Sequence, residues 1–206
     1  MENKTKYIKG LDGLRALAVV MVLAYHLKSP FAKSGLLGVT VFFVLSGFLI
    51  TRILITEIEE THTIDLKNFW VRRIRRLIPA VLSMAVVIIF VSAVVNRVVF
   101  TKGCKDFVAS VLGFNNWWQI FNKVSYFEAA GAPSPFTLAI ETQFYLIYPI
   151  LLLLLSRVFR KRKKRGKVFA GLSALLAVVS MILMAVLYNP NGDPSRVYYG
   201  TDTRAF

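Results

Sequence analysis

Cysteine is nearly absent from this 206-residue chain, and acid is scarce. The one cysteine, Cys104, excludes an internal disulfide framework and any cysteine-based metal cluster, so no metal is expected. Only 11 Asp and Glu stand against 26 Lys and Arg, giving a formal net charge of +15. No internal repeat occurs, and low complexity is confined to Arg160–Arg165. Ser46-Gly47 lacks a Gly-x-Ser-x-Gly elbow, so it reads as close helix packing rather than as a nucleophile. The first apolar run follows Lys4, Lys6 and Lys9 as a signal peptide would, but no Ala-x-Ala-like cleavage site comes after it. That run is expected to stay as a first span.

What the chain has in abundance is apolar sequence. It is 56% hydrophobic, with a mean hydropathy of +0.58. A pI near 10.2 raises the prospect of nucleic acid. The basic residues, however, sit between apolar runs rather than on one face, which is the pattern of a positive-inside bias. The expected partner is therefore a lipid bilayer and not nucleic acid.

Uncharged runs predict an all-α, polytopic transmembrane helix bundle of about five spans, at 11–28, 35–55, 77–97, 136–156 and 168–188. The first holds only Ala16–Leu27 without a charge, and spans only if Arg15 snorkels to the interface. Pro79 is placed in the first turn of the third span, where a missing N–H costs little. A sixth uncharged run, Phe107–Asn122, carries Asn115, Asn116, Trp117, Trp118 and Gln119, a composition suited to the membrane interface. Gly131, Pro133 and Pro135 keep the approach to Phe136 extended. With the N-terminus cytoplasmic, seventeen basic residues fall in inner segments and eight in outer ones. The expected location is thus the cell membrane, multi-pass, with the N-terminus inside.

Three groups of residues stand out for chemistry. Arg15 and His26 are eleven positions apart, about three helical turns, so they share a face roughly 16 Å apart along the axis. Ionisable groups at membrane depth tend to mark a pathway or a site. The alternative is that Arg15 pairs with Asp12 one turn earlier and His26 marks the wet end of a short helix. The second group is Phe69-Trp-Val-Arg-Arg-Ile-Arg-Arg-Leu-Ile-Pro79, whose Arg72, Arg73, Arg75 and Arg76 suit phosphates, or else anchor the helix to lipid headgroups. Third, Glu141 stands alone in its span, sharing a face with Tyr145 and Tyr148. Its natural partner is a cation or imidazole of another helix, His26 or Arg15; otherwise it is a polar clamp between helices. His62, among Glu57, Glu59, Glu60 and Asp65, reads as a solvated loop residue.

Taken in order, these stretches resemble the acyltransferase-3 family of integral membrane acyltransferases. Gly10-Leu-Asp-Gly-Leu-Arg-Ala-Leu-Ala-Val with His26 is similar to the family's Arg/Lys-x10-His signature. Gly38–Thr51 resembles its second-helix motif, Phe69–Pro79 its Arg-Arg-x-x-Arg-Leu-x-Pro box, and Ser134–Pro149 its Glu-x-Gln-Phe-Tyr-Leu-x-x-Pro segment. Tyr199–Phe206 resembles a further family segment. Within that family, the chain resembles the Gram-positive peptidoglycan O-acetyltransferases.

The resemblance implies an O-acyltransferase that moves acetyl from acetyl-CoA, a co-substrate on the cytoplasmic side, to a cell-surface glycan. It implies His26 as the essential histidine, a general base or transient acyl acceptor. Near-neutral titration of an imidazole suits either role. Arg15 is implied as its motif partner and Glu141 as the acidic position. Arg73 and Arg76, with Arg72 beside them, are implied at the acyl donor. Thr40 and Thr142 stand where the family commonly has acid, and Pro133–Thr137 replaces a His-x-Trp-Ser. Residues 1–206 are expected to be the N-terminal part of one membrane domain of around ten spans. No extracytoplasmic SGNH-type domain is expected within them, and a C-terminal half or second chain is expected to supply the remainder. Two alternatives are a non-catalytic carrier of a glycan or acyl unit and an inactive fragment.

Overall fold

The computed structural model describes residues 8–31, 34–95, 106–125, 136–159 and 165–204. Lys4, Lys6, Cys104, Gly131, Pro133, Pro135 and the basic residues at 160–164 lie outside them. The chain divides into two compact units, Met1–Ile64 and Asp65–Phe206.

The first unit is a pair of helices, α1 (Lys9–His26) and α2 (Leu37–Thr61). Asp12 in the first turn of α1 and His26 in its last suit the polarity of the helix ends. In α2, Ile50, Leu54 and Ile58 recur every four residues and are buried. The closest approach is at Gly38, where an added Cβ would lie 2.5 Å from the Ala18 carbonyl oxygen and 2.8 Å from Val22 Cγ2. Small residues at such a crossing let helices pack where lipid gives no hydrophobic drive. Gly38→Leu is therefore expected to destabilise the protein by about 1–3 kcal/mol, read as a lower unfolding midpoint in detergent. His62 caps α2 in a left-handed conformation, φ 60°, and is exposed, as a solvated residue should be.

The second unit opens with α3 (Leu66–Val95). Asp65 starts it: its carboxylate accepts the Asn68 backbone N–H at 3.0 Å and the Asn68 side-chain amide at 2.5 Å. The Asn68 N–H holds the Asp65 carboxyl below its usual range. This cap is complete above the ordinary carboxylate value and is lost as pH falls through the lowered one.

The early start corrects one expectation. The arginine stretch is already helical, so Pro79 falls in the interior of α3 rather than in its first turn. Proline there removes the N–H that would reach the Arg75 carbonyl. Counting uncharged residues could not detect helix that continues through arginines. After α3 come two short helices, α4 (residues 106–111) and α5 (Asn115–Phe121), then the long α6 (Phe136–Val158) and α7 (Arg165–Leu187). Two final turns, α8 (Ser195–Tyr199) and α9 (Thr201–Arg204), fold back on the bundle. Every regular element among the described residues is helical.

Among the described residues, four helices are long and apolar enough to cross a membrane: α2, α3, α6 and α7. Their outward residues include Val86, Phe90, Leu175 and Val186, all exposed, as side chains facing lipid should be. The chain is a multi-pass membrane protein. The expected first span differs from the others. It is the 18-residue α1, and its first seven positions carry Lys9, Asp12 and Arg15, too many charges for it to join the four.

Candidate active site

In the first unit, Arg15 Nη1 lies 3.5 Å from Asp12 Oδ1, one turn earlier, and both side chains are partly exposed. Exposed pairs at this spacing contribute little. His26 is exposed at the end of α1, where Tyr25 meets its ring edge-on at 5.6 Å. Its Nδ1 lies 2.8 Å from the Val22 carbonyl oxygen. A carbonyl only accepts, so in the neutral ring Nδ1 carries the hydrogen and Nε2 keeps its lone pair. That leaves a fixed, accessible nitrogen able to take a proton or attack a carbonyl carbon.

In the second unit, α3 and α6 pack through Trp70, whose indole N–H donates to the Tyr145 carbonyl at 3.1 Å. Of the arginines, only Arg73 turns partly inward; Arg72, Arg75 and Arg76 are exposed. The Arg73 guanidinium lies over the rings of Phe69 (5.5 Å) and Tyr145 (5.7 Å), stacking that suits its delocalised charge. Its Nε is buried and makes no hydrogen bond among the described residues. The Tyr145 hydroxyl donates to Glu141, and Glu141 also acts electrostatically on Arg73. Glu141, Tyr145 and Arg73 are thus brought together. Tyr148 is buried too, its hydroxyl 3.2 Å from Ser173 Oγ and its ring stacked on Phe144 at 4.7 Å.

The largest polar feature in this unit was not among the expected site residues. Asn115, Asn116 and Gln119 on α5 are 0%, 0% and 1% exposed, so the segment expected at the membrane interface turns its amides inward. Asn115 donates to the Asp106 carbonyl and to Ser110 Oγ, and accepts from Gln119. Asn116 meets Gln143, two residues beyond Glu141. Gln143 Nε2 donates to the Gly113 carbonyl (2.8 Å) and to Asn116 Oδ1 (2.9 Å). Gln143 Oε1 accepts from the Trp117 indole (3.2 Å) and from the Thr201 hydroxyl (2.5 Å). Asn116 Nδ2 reaches on to the Tyr199 carbonyl (3.0 Å) and Thr201 Oγ1 (2.7 Å). All four bonds an amide can make are filled, which is what makes a buried network stabilising.

Gly113 enters the network in a left-handed conformation, φ 73°, with Thr142 Cγ2 3.0 Å from where a Cβ would be. The one sequence signal was the helical spacing of Asn115 and Gln119, which do pair at 2.9 Å.

With this geometry in view, the comparisons decide the family. Residues 8–199 match the model of a family described as an acyltransferase domain. The chain belongs to this acyltransferase-3 family. It is 50% identical over 205 residues to the peptidoglycan O-acetyltransferase OatA of Listeria monocytogenes, covering 98% of this chain and 32% of that protein. It is 45% identical to the putative peptidoglycan O-acetyltransferase YrhL of Bacillus subtilis, covering 100% of this chain and 33% of that one. A putative O-acetyltransferase of Staphylococcus aureus is 42% identical, again with 98% and 33% covered. The chain therefore spans about a third of the length of these relatives. No solved structure matches it. The acyltransferase-3 match takes in both units, and with them His26, the arginine stretch and Glu141.

Proposed function

We propose that this chain contributes the membrane domain of an O-acyltransferase that moves acetyl from acetyl-CoA to a cell-envelope carbohydrate such as peptidoglycan. The likeness to a peptidoglycan O-acetyltransferase and to a putative one supports the reaction class and the acceptor. The observation that carries the donor site is Arg73: a guanidinium held by two aromatic rings, beside Glu141 and Tyr145, with a buried N–H left over. Arginine's planar fork binds phosphate or carbonyl oxygen better than a point charge does. Exposed Arg72 and Arg76 fit the outlying phosphates of the same donor. The positive-inside count supports placing this end of α3, and the N-terminus, on the cytoplasmic side.

His26 supplies the proton transfer. Its Nε2 takes the proton of the acceptor hydroxyl as the carbon–oxygen ester bond forms and the carbon–sulfur bond of the thioester breaks. The proton then passes to the departing thiolate. Arg15 balances charge along the same face, and Glu141 fixes the Tyr145 hydroxyl, which in turn keeps the ring under Arg73 in place.

The test is Arg73→Lys in the full-length protein, which keeps the charge and loses the fork. Loss of a charge-assisted hydrogen-bond pair is expected to raise KM for acetyl-CoA about 10- to 100-fold, with KM for the glycan unchanged. An unchanged donor KM would remove Arg73 from the donor site.

A further inference from the structure

The stretch from 106 to 121 is built the wrong way round for water. Its amides are inside, while Val108, Leu112 and Phe121 are 54%, 66% and 77% exposed. From Phe107 to Phe121 there is no charged residue. The one nearby carboxylate, Asp106, accepts the Trp118 indole N–H at 3.1 Å. A soluble protein puts these groups the other way about.

Two independent contacts give the depth. On α6, Gln143 lies seven positions beyond Phe136, about 10 Å along the axis. On α7, Ser180 lies seven positions before Leu187, again about 10 Å in, and its hydroxyl donates to the Asp202 carbonyl of α9 at 2.6 Å. These two helix ends are on the same side, because Tyr148, twelve positions beyond Phe136, meets Ser173, fourteen positions before Leu187. At 23 residues α6 is about 34 Å long, against a hydrocarbon layer about 30 Å thick. With α6 upright and centred on that layer, the contacts at Gln143 and Ser180 fall about 8 Å inside it.

We propose that residues 106–121, with α8 and α9, form a re-entrant layer within the hydrocarbon thickness of the bilayer, with Val108, Leu112 and Phe121 against lipid acyl chains. Irregular backbone at such depth is tolerated only where protein satisfies its polar groups. The Gln143 network does this for the α4–α5 connection, through the Gly113 carbonyl, and for the α8–α9 connection, through the Tyr199 carbonyl. The Arg196–Asp202 pair, two bonds of 3.1 and 2.8 Å with Arg196 over the Trp117 ring, neutralises two of the charges there. Of the others, Asp106 accepts the Trp118 indole and the Arg204 guanidinium lies 4.2 Å from the Tyr198 ring centre. The placement is independent of which reaction the protein catalyses.

The test uses Val108→Cys, Leu112→Cys and Phe121→Cys in the full-length protein, in a background free of other cysteines, each carrying a nitroxide in lipid vesicles. Asn191→Cys, in the exposed turn beyond α7, is the aqueous reference. Collision with oxygen relative to a water-soluble nickel chelate is expected to rise about tenfold or more over Asn191→Cys, because the polar chelate is excluded from hydrocarbon. High nickel collision would put the segment in water and overturn the proposal. Low collision with both reagents would show a protein covering the face, and would overturn it equally. The three side chains are mostly exposed, and the ring contact of Phe121 with Trp117 at 6.3 Å is left intact in Val108→Cys and Leu112→Cys, which test the same face.

Discussion

His26→Ala in the full-length protein is expected to cut acetyl transfer to glycan by about a hundred- to ten-thousand-fold, the range for loss of a general base. The fold should survive the change. His26 is exposed, and its Nδ1 hydrogen-bonds to its own helix, at the Val22 carbonyl. The measurement is transfer of labelled acetyl in membranes, with the amount of protein quantified in the same preparation. His26→Gln separates geometry from chemistry: a glutamine amide can still reach a backbone carbonyl, but it cannot carry the proton. Activity should therefore stay low in both variants while the unfolding midpoint stays at the wild-type value. Full transfer by His26→Ala would end the assignment.

The parts of this molecule that the sequence made legible share one physical origin. Long uncharged runs can only be buried or face lipid, so α2, α6 and α7 could be placed to within a few residues. Helical spacing could be read as well: Glu141 and Tyr145, four apart, do share a face and a hydrogen bond. The start of α3 was not legible. Its signal is a capping aspartate, Asp65, ahead of arginines that a hydropathy count treats as an interruption. For Arg15, spacing left two readings open, and the ion pair with Asp12 is the nearer-range one.

The Gln143 network was illegible for a different reason. Its partners are far apart in sequence, 27 positions for Asn116 and 58 for Thr201. Asn, Gln and Trp side chains do not announce whether they will face headgroups or one another. Composition assigned them to the interface, because that is where such residues go when nothing else satisfies them. Here Asn115, Trp118 and Gln119 are satisfied within 106–119, while Asn116 is satisfied by Gln143 and by the tail at Tyr199 and Thr201, which no local pattern in 107–122 encodes.

Gln143→Leu should therefore be the most destabilising single change in the second unit. It removes four hydrogen bonds and leaves the Trp117 indole, the Thr201 hydroxyl, the Gly113 carbonyl and Asn116 Oδ1 to find new partners. Hydrogen bonds between membrane helices are individually modest, averaging about 0.6 kcal/mol with a maximum near 1.7, which puts four at about 2–5 kcal/mol. Buried groups left unpaired push toward the upper figure, at about 1–3 kcal/mol each. Asn116 keeps Thr201 and Tyr199 in the variant, so the loss stops short of that sum. The readout is the unfolding midpoint in detergent, together with protease cleavage near Gly192, where the tail would detach. Gln143→Glu sharpens the test. Its carboxylate can still accept from Trp117 and Thr201, but it faces two oxygens, at Gly113 and Asn116, with no hydrogen to give. Protonation restores one donor, so this variant alone should regain stability as pH falls. If Gln143→Leu matches the wild type, or Gln143→Glu shows no such recovery, then Gln143 is not what holds α5 and the tail to α6.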